Sequence, residues 1–248
     1  MSEILPVEPG YYANDIRRLS FGEFWRLGPW GFLGAIILYP IRSFLTPELN
    51  EGIWLSLTWK ELQVDSEELT EECHEARLPK VAALEREGFY VVAYQKAKKH
   101  LYPLLTDSGT VFLIHPEEDV AASVSWTSSR LLFPDMGENK LCFTSVFGSF
   151  TSGKVISIVD SNKYMDVVPP REIVCLPSAS VKQMVSRLRT ERERLLSQGE
   201  EIEPLGNTSA LERFHDEKDA LSWQYRVHVR RVMVPMTDAQ IEAALRRM

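Results

Sequence analysis

Cysteine is scarce in this chain: Cys73, Cys142 and Cys175 are the three among 248 residues, far apart and with no CxxC pair. That spacing excludes a disulfide framework and fits a reducing compartment, so a cytoplasmic protein is expected. Missing too is any uninterrupted apolar run of the about 20 residues that a membrane-crossing helix needs. The opening residues MSEILPVEPGYY carry acids where a secretory leader carries bases, and no cleavable signal is expected there. Excess positive charge is absent as well. The net charge is −7, and it falls entirely on residues 1–130, where 12 Lys/Arg face 19 Asp/Glu. Residues 131–248 hold 16 of each and balance to zero. An acidic chain repels phosphate backbones, so no nucleic-acid partner is expected. Neither an internal repeat nor a low-complexity tract is present.

Motifs that would announce a reaction are lacking too. No GxSxG elbow or SxxK marks a nucleophilic serine. The five histidines, His74, His100, His115, His215 and His228, form no HxH or HExxH pair. Cys73-His74-Glu75 are adjacent and point different ways on a helix, which reads as an exposed acidic face. His115-Pro116-Glu117-Glu118-Asp119 lacks the alternating ligands of a calcium loop and reads as a polar turn. Gly148-Ser149-Phe150-Thr151-Ser152-Gly153-Lys154-Val155 imitates a phosphate-binding loop, but Val155 stands where the magnesium-binding hydroxyl belongs. The following KVISIVD is a strand rather than the helix whose N-terminus must face the phosphates. It reads as a hairpin turn with Gly153 at positive φ. Cys142 and Cys175 fall in apolar strands and read as inert core thiols. Catalytic, metal and cofactor assignments are therefore all none.

What the chain does have is an aromatic and apolar stretch from Phe21 to Trp59 holding four of the six tryptophans. Within it Leu27 to Ile41, LGPWGFLGAIILYPI, runs fifteen residues without a formal charge between Arg26 and Arg42. Tryptophan and arginine at the edges of an apolar run are what a membrane–water boundary selects. Gly28, Pro29, Gly31, Gly34 and Pro40 interrupt it. Three placements fit: burial in this protein or a partner, in-plane membrane contact, or a short span. The contact residues of the docking readings are Trp25, Arg26, Trp30, Phe32, Ile36, Ile37 and Arg42.

Further along, GIWLSLTWK (52–60) alternates like a strand. Asp65 or Ser66 can cap a helix in the acidic stretch 61–75, and Pro79 can open a second one over Lys80 to Glu87 with Leu78 inward. Six strand-like runs follow at 89–95, 110–115, 119–129, 140–150, 154–160 and 172–176, joined by short polar links such as Thr106-Asp107-Ser108-Gly109. Short links imply antiparallel neighbours. Ser123, Ser125 and Thr127 then share one face. Ser180 with Gln183 forms a capping box for a helix whose stripe is Val181, Met184, Val185, Leu188, Leu195 and Leu196, with Arg189 and Arg192 outward. Another helix is expected from about Asn207 to Met233 with Leu211, Phe214, Leu221, Tyr225 and Val232 at heptad-like spacing, and Thr237 with Gln240 caps a last one.

The fold expected is α+β, an antiparallel sheet of about six to seven strands packed against C-terminal helices. In element order over residues 52–198 it resembles the helix-grip arrangement of START-like lipid and hormone binders, which implies an apolar cavity between sheet and helix. Three regions are expected: an arm over 1–50, an α+β domain over 51–200 and a helical extension over 201–248. The functional expectation is a non-enzymatic binding protein for an apolar small molecule or lipid, membrane-associated or partner-docked through its N-terminal segment. Two alternatives stay open. One is a small-molecule hydrolase or transferase with its site in the sheet–helix cavity, and the other is an interaction module acting through the C-terminal helices.

Overall fold

Alternation along three long strands decides the architecture, because apolar side chains fall on both of their faces. The computed structural model describes residues 11–18, 20–21, 36–41, 53–55, 58–96, 105–130, 138–161, 171–231 and 233–246. Its first part holds β1 (Tyr11–Asn14), β2 (Ile53–Leu55), α1 (Trp59–Leu62), β3 (Gln63–Val64) and α2 (Glu71–Arg86). The strands β4 (Tyr90–Gln95), β5 (Leu105–His115), β6 (Val120–Arg130), β7 (Glu138–Phe150), β8 (Val155–Val159) and β9 (Arg171–Cys175) follow. Then come α3 (Val181–Ser197), β10 (Ile202–Glu203), α4 (Thr208–Gln224), β11 (Met233–Pro235) and α5 (Asp238–Arg246).

The class is α+β. One eight-stranded sheet runs β3-β4-β5-β6-β7-β8-β9, with β10 added to β7. Every pairing in it is antiparallel except β8 with β9, which run parallel. A second sheet of three strands has the order β11-β1-β2.

The first face of the large sheet carries Leu113, Val124, Val146, Phe150, Ile156 and Ile158, packed against Leu84 of α2 and Met184, Leu188 and Leu195 of α3. These side chains keep almost no accessible surface, so no solvent-sized gap lies between them. Each contributes about 1.5–3 kcal/mol of hydrophobic stabilisation. The opposite face carries Phe112, Ile114, Ala121, Phe147 and Val155, covered by Trp59 of α1 and Leu211 and Phe214 of α4.

Several local expectations differ from the structure, each for a physical reason. Thr106 to Gly109 is no link but part of β5. A Cβ on Gly109 would lie 2.6 Å from Cys73 Sγ, so this glycine serves close helix–sheet approach rather than a turn. Cys73 is accordingly fully buried, although Glu71, Glu72 and Glu75 beside it are exposed. Cys175 is exposed because β9 is an edge strand. Pro79 lies inside α2, which starts at the cap Thr70 instead. Pro79 is exposed on this helix, and Leu78 is 67% exposed rather than inward. Trp59 opens a helix rather than closing a strand. The Asp216 carboxylate from α4 accepts its backbone N–H at 2.7 Å, a cap that no local pattern reveals.

Around α3 the capping box forms as expected, with Ser180 Oγ accepting from Gln183 N–H at 3.3 Å. Leu196, 100° on from Leu195, is exposed. Arg192 is half-buried over Gly148 instead of outward. On α4 the regular helix stops at Gln224 and continues as a π turn over Tyr225–Val229, and Leu221 is exposed. The 150–154 segment is a hairpin turn with Gly153 at φ +84°, and Lys154 pairs with Glu200 at 2.8 Å. That leaves its lysine engaged away from any phosphate cradle.

One buried charge stands out. Arg77 is 1% exposed, its Nε donates to the Cys73 carbonyl at 2.8 Å, and its Nη1 and Nη2 find no protein acceptor. A buried guanidinium with one bond is costly to desolvate. Arg77→Met should therefore leave the urea midpoint unchanged or raise it; a loss above about 1 kcal/mol would reveal an acceptor for the Nη groups. In the same assay Leu195→Ala should cost about 2–5 kcal/mol and Leu196→Ala under about 0.5 kcal/mol. Equal losses at the two leucines would mean that the phase of α3 is wrong.

Candidate functional site

Two contacts seat α4 on the second face of the sheet. Asp216 caps α1 through the Trp59 N–H, and Glu212 pairs with Lys60 at 3.2 Å. With the helix so anchored, His215 is driven into an aromatic box. Its ring centroid lies 4.7 Å from Phe112, 4.9 Å from Trp59, 5.4 Å from Phe214 and 5.9 Å from Phe147. Burial, helped by the positive charge of Arg171, lowers its pKa to about 3. The imidazole is therefore neutral at neutral pH, and its buried Nε2 has no hydrogen-bond partner.

Past this box the second face turns polar. The register sets Phe112, Ser123 and Ser145 side by side on β5, β6 and β7, and Thr110 beside Ser125 in the neighbouring row. Thr110 and Ser125 hydroxyls are bonded to each other at 3.1 Å. Ser145 is 3% exposed and its Oγ has no partner, whereas Ser123, Ser125 and Thr127 keep part of their surface accessible. On the flank, Arg171 Nε of β9 donates to Ser157 Oγ at 3.2 Å.

Asp219, one helical turn beyond His215, reaches the same region. It retains accessible surface, yet the protein crowded around it desolvates the carboxyl and pushes its pKa up to about 6. Arg226 opposes the shift, Asp216 adds to it, and Arg171 opposes it again. Desolvation pushes the pKa of the imidazole down and that of the carboxyl four residues on up. At neutral pH the imidazole is uncharged, whereas a carboxyl with a pKa of about 6 is mostly ionised. A nucleophile–base pair would need a serine hydroxyl on His215 Nε2, and none is bonded there.

The chain matches no family model, no curated protein and no solved structure.

Of the contact residues expected from sequence, Trp25, Arg26, Trp30, Phe32 and Arg42 lie outside the described residues. Ile36 and Ile37 stand on a helical turn at 36–38 and are 46% and 69% exposed, and Ile41 just beyond is 45% exposed. Phe21 meets Tyr39 edge-on at 5.3 Å, which ties this turn to the chain near β1. Among the described residues no helix is long and apolar enough to cross a membrane, and no three His, Cys, Asp or Glu side chains gather to hold a metal ion. Sequence reasoning missed His215, Asp219 and Arg171 as a group. The signal available was a histidine and an aspartate four apart next to the inward stripe of Leu211 and Phe214.

The opposed pKa shifts make a pH test. The folded state binds the His215 proton less readily than the unfolded chain, so the stability it contributes is complete above about pH 6.5 and lost as pH falls toward 3. Asp219 behaves conversely: its contribution is complete below about pH 3.8 and lost as pH rises through about 6. His215→Phe should thus reduce the loss of thermal stability on acidification. Asp219→Asn should gain on the wild type as pH rises from about 4 to about 6.5 and hold the gain above. Melting curves of both variants that run parallel to wild type across this range would contradict the desolvation of the pair.

Proposed function

We propose that this is a non-enzymatic binding protein that contacts a membrane surface through the 27–41 segment and carries an apolar or amphiphilic ligand on its large sheet. The observation that carries the first half is the exposure of Ile36, Ile37 and Ile41 within six residues. Single exposed apolar residues are ordinary, but a cluster in an uncharged run is what an interface covers. Arg26 and Arg42 flank that run, and each arginine near an anionic leaflet adds about 1 kcal/mol of attraction. An in-plane contact uses such a segment at its actual length, whereas a span would need more residues. For the ligand, the filled first face argues for the second, where hydroxyls adjoin an aromatic box. The opposed titrations of His215 and Asp219 favour a second reading, a hydrolase or transferase, which would require a bound substrate to bring a serine to the imidazole.

Vesicle sedimentation tests the membrane contact. Wild-type protein should pellet with vesicles of mixed phosphatidylserine and phosphatidylcholine, and less so as salt is raised. The Ile36→Ser, Ile37→Ser double variant should stay in the supernatant with its circular dichroism unchanged, because both side chains are already exposed. Wild-type protein that ignores vesicles would overturn the reading, and a double variant that loses its fold would return the two isoleucines to packing.

A further inference from the structure

We propose that the membrane contact is completed by a basic surface at one end of the small sheet, where Arg17, Arg18 and Arg231 adjoin the exposed isoleucine turn, and that this surface selects anionic bilayers. The inference deepens the membrane half of the binding-protein reading and rests on it, and it is independent of any ligand on the large sheet.

Strand register brings the arginines together. β1 pairs with β11 antiparallel, with Asn14 opposite Met233. Arg17 and Arg18 follow β1 in a 3-10 turn over Ile16–Arg18, and Arg231 stands two residues before β11. Antiparallel strands put the exit of one beside the entry of the other, so segments from opposite ends of the chain meet there. The isoleucine turn comes to the same place. Phe21, which meets Tyr39 edge-on at 5.3 Å, lies three residues past Arg18, a span of at most about 11 Å. Val229, 56% exposed in the π turn just before Arg230 and Arg231, adds apolar surface beside them.

Charge and backbone both mark this end. Asp15 is buried and pairs with Arg17 at 2.8 Å and with Arg18 at 3.2 Å, so one carboxylate answers two guanidinium groups whose side chains are about half exposed. One positive charge is left over, and exposed Arg231 adds another, in a chain whose net charge is −7. Arg231 also sits at φ +53°, a left-handed backbone that glycine or asparagine adopts with less strain. Folding alone does not ask for arginine there; a cationic surface does. Isoleucines beside arginines in excess fit a bilayer with anionic headgroups, which takes apolar side chains below the headgroups and cations at their level. A nucleic acid would leave the isoleucines in water and would meet an acidic chain.

Partitioning onto vesicles of phosphatidylcholine alone and of equimolar phosphatidylserine and phosphatidylcholine tests this. Wild-type protein should bind the mixed vesicles more tightly, and salt should narrow the difference. The Arg18→Gln, Arg231→Asn double variant should bind the mixed vesicles at least about tenfold more weakly and phosphatidylcholine alone as wild type does. Its melting temperature should not fall, because Arg17 still holds Asp15 and asparagine suits the positive φ. Should the double variant fail to fold, Arg231→Asn alone should cost about fivefold on the mixed vesicles. The control pair Arg187→Gln, Arg213→Gln removes the same charge from α3 and α4 and should bind as wild type does. Wild-type protein that pellets with neither vesicle would overturn the membrane reading itself. Equal binding by wild type and the folded arginine variant, or an equal loss in the control pair, would overturn the basic surface while leaving the isoleucine contact in place.

Discussion

Strands β5, β6 and β7 carry apolar residues on both parities, Phe112 and Ile114 on one face and Val111 and Leu113 on the other, so this sheet must be covered twice. A sheet with one wet face would need polar residues at every second position. The rest of the structure follows from that demand. Helices α2 and α3, which flank the strands in sequence, close the first face, and β3 and β9 widen the sheet beneath them. Among the described residues the second face is covered by α1 and α4. Phe147 stacks on Phe214 of α4, and serines occupy neighbouring positions of the same strands. The polar positions on this face come from the same strands that build the core.

Polar pins fix how the layers sit, at little cost in apolar area. Lys80 of α2 donates to Asp160 at 2.7 Å, and the other Asp160 oxygen accepts the Thr144 N–H at 2.7 Å, so one carboxylate ties helix to sheet beyond the end of β8. Thr70, which caps α2, also donates to Asp107 on β5. On the other side the Asp216 cap binds α1 and α4 together. Glu118 in the β5–β6 turn receives a two-pronged bond from Arg189 of α3, which holds its carboxyl below the usual range. Hydrophobic burial supplies most of the stability, and these contacts choose one packing among many of similar area.

Period two was legible over β4 to β9, because each strand keeps its own hydrophobic beat and the turns between them carry glycine, proline or acids. The helix α3 was legible for the same reason, with Ser180 and Gln183 marking its start. What escaped notice depends on partners distant in sequence. Gly109 looks like a turn residue until Cys73 is placed against it. Trp59 looks like a strand residue until Asp216 caps it. Pro79 looks like a helix start because its exposed position on α2, which makes it tolerable, is a tertiary fact. The apolar exposure at Ile36 and Ile37 sits in a run whose composition is plain, whereas the grouping of His215, Asp219, Arg171 and Ser145 exists only through strand register and the seating of α4.

The small sheet places β1 between β2 and β11, with Tyr12 opposite Trp54 on one side and Pro235 on the other. During synthesis β1 and β2 emerge early, but β11 is made roughly ten seconds or more after β2 at ordinary elongation rates. The strands of the large sheet, neighbours in sequence, can pair as they leave the ribosome. The central strand of the small sheet cannot complete its pairing until that late segment arrives. The isoleucine-bearing turn at 36–41 belongs to the stretch between β1 and β2, so the hairpin-like pair that brackets it is made well before the strand that completes the small sheet.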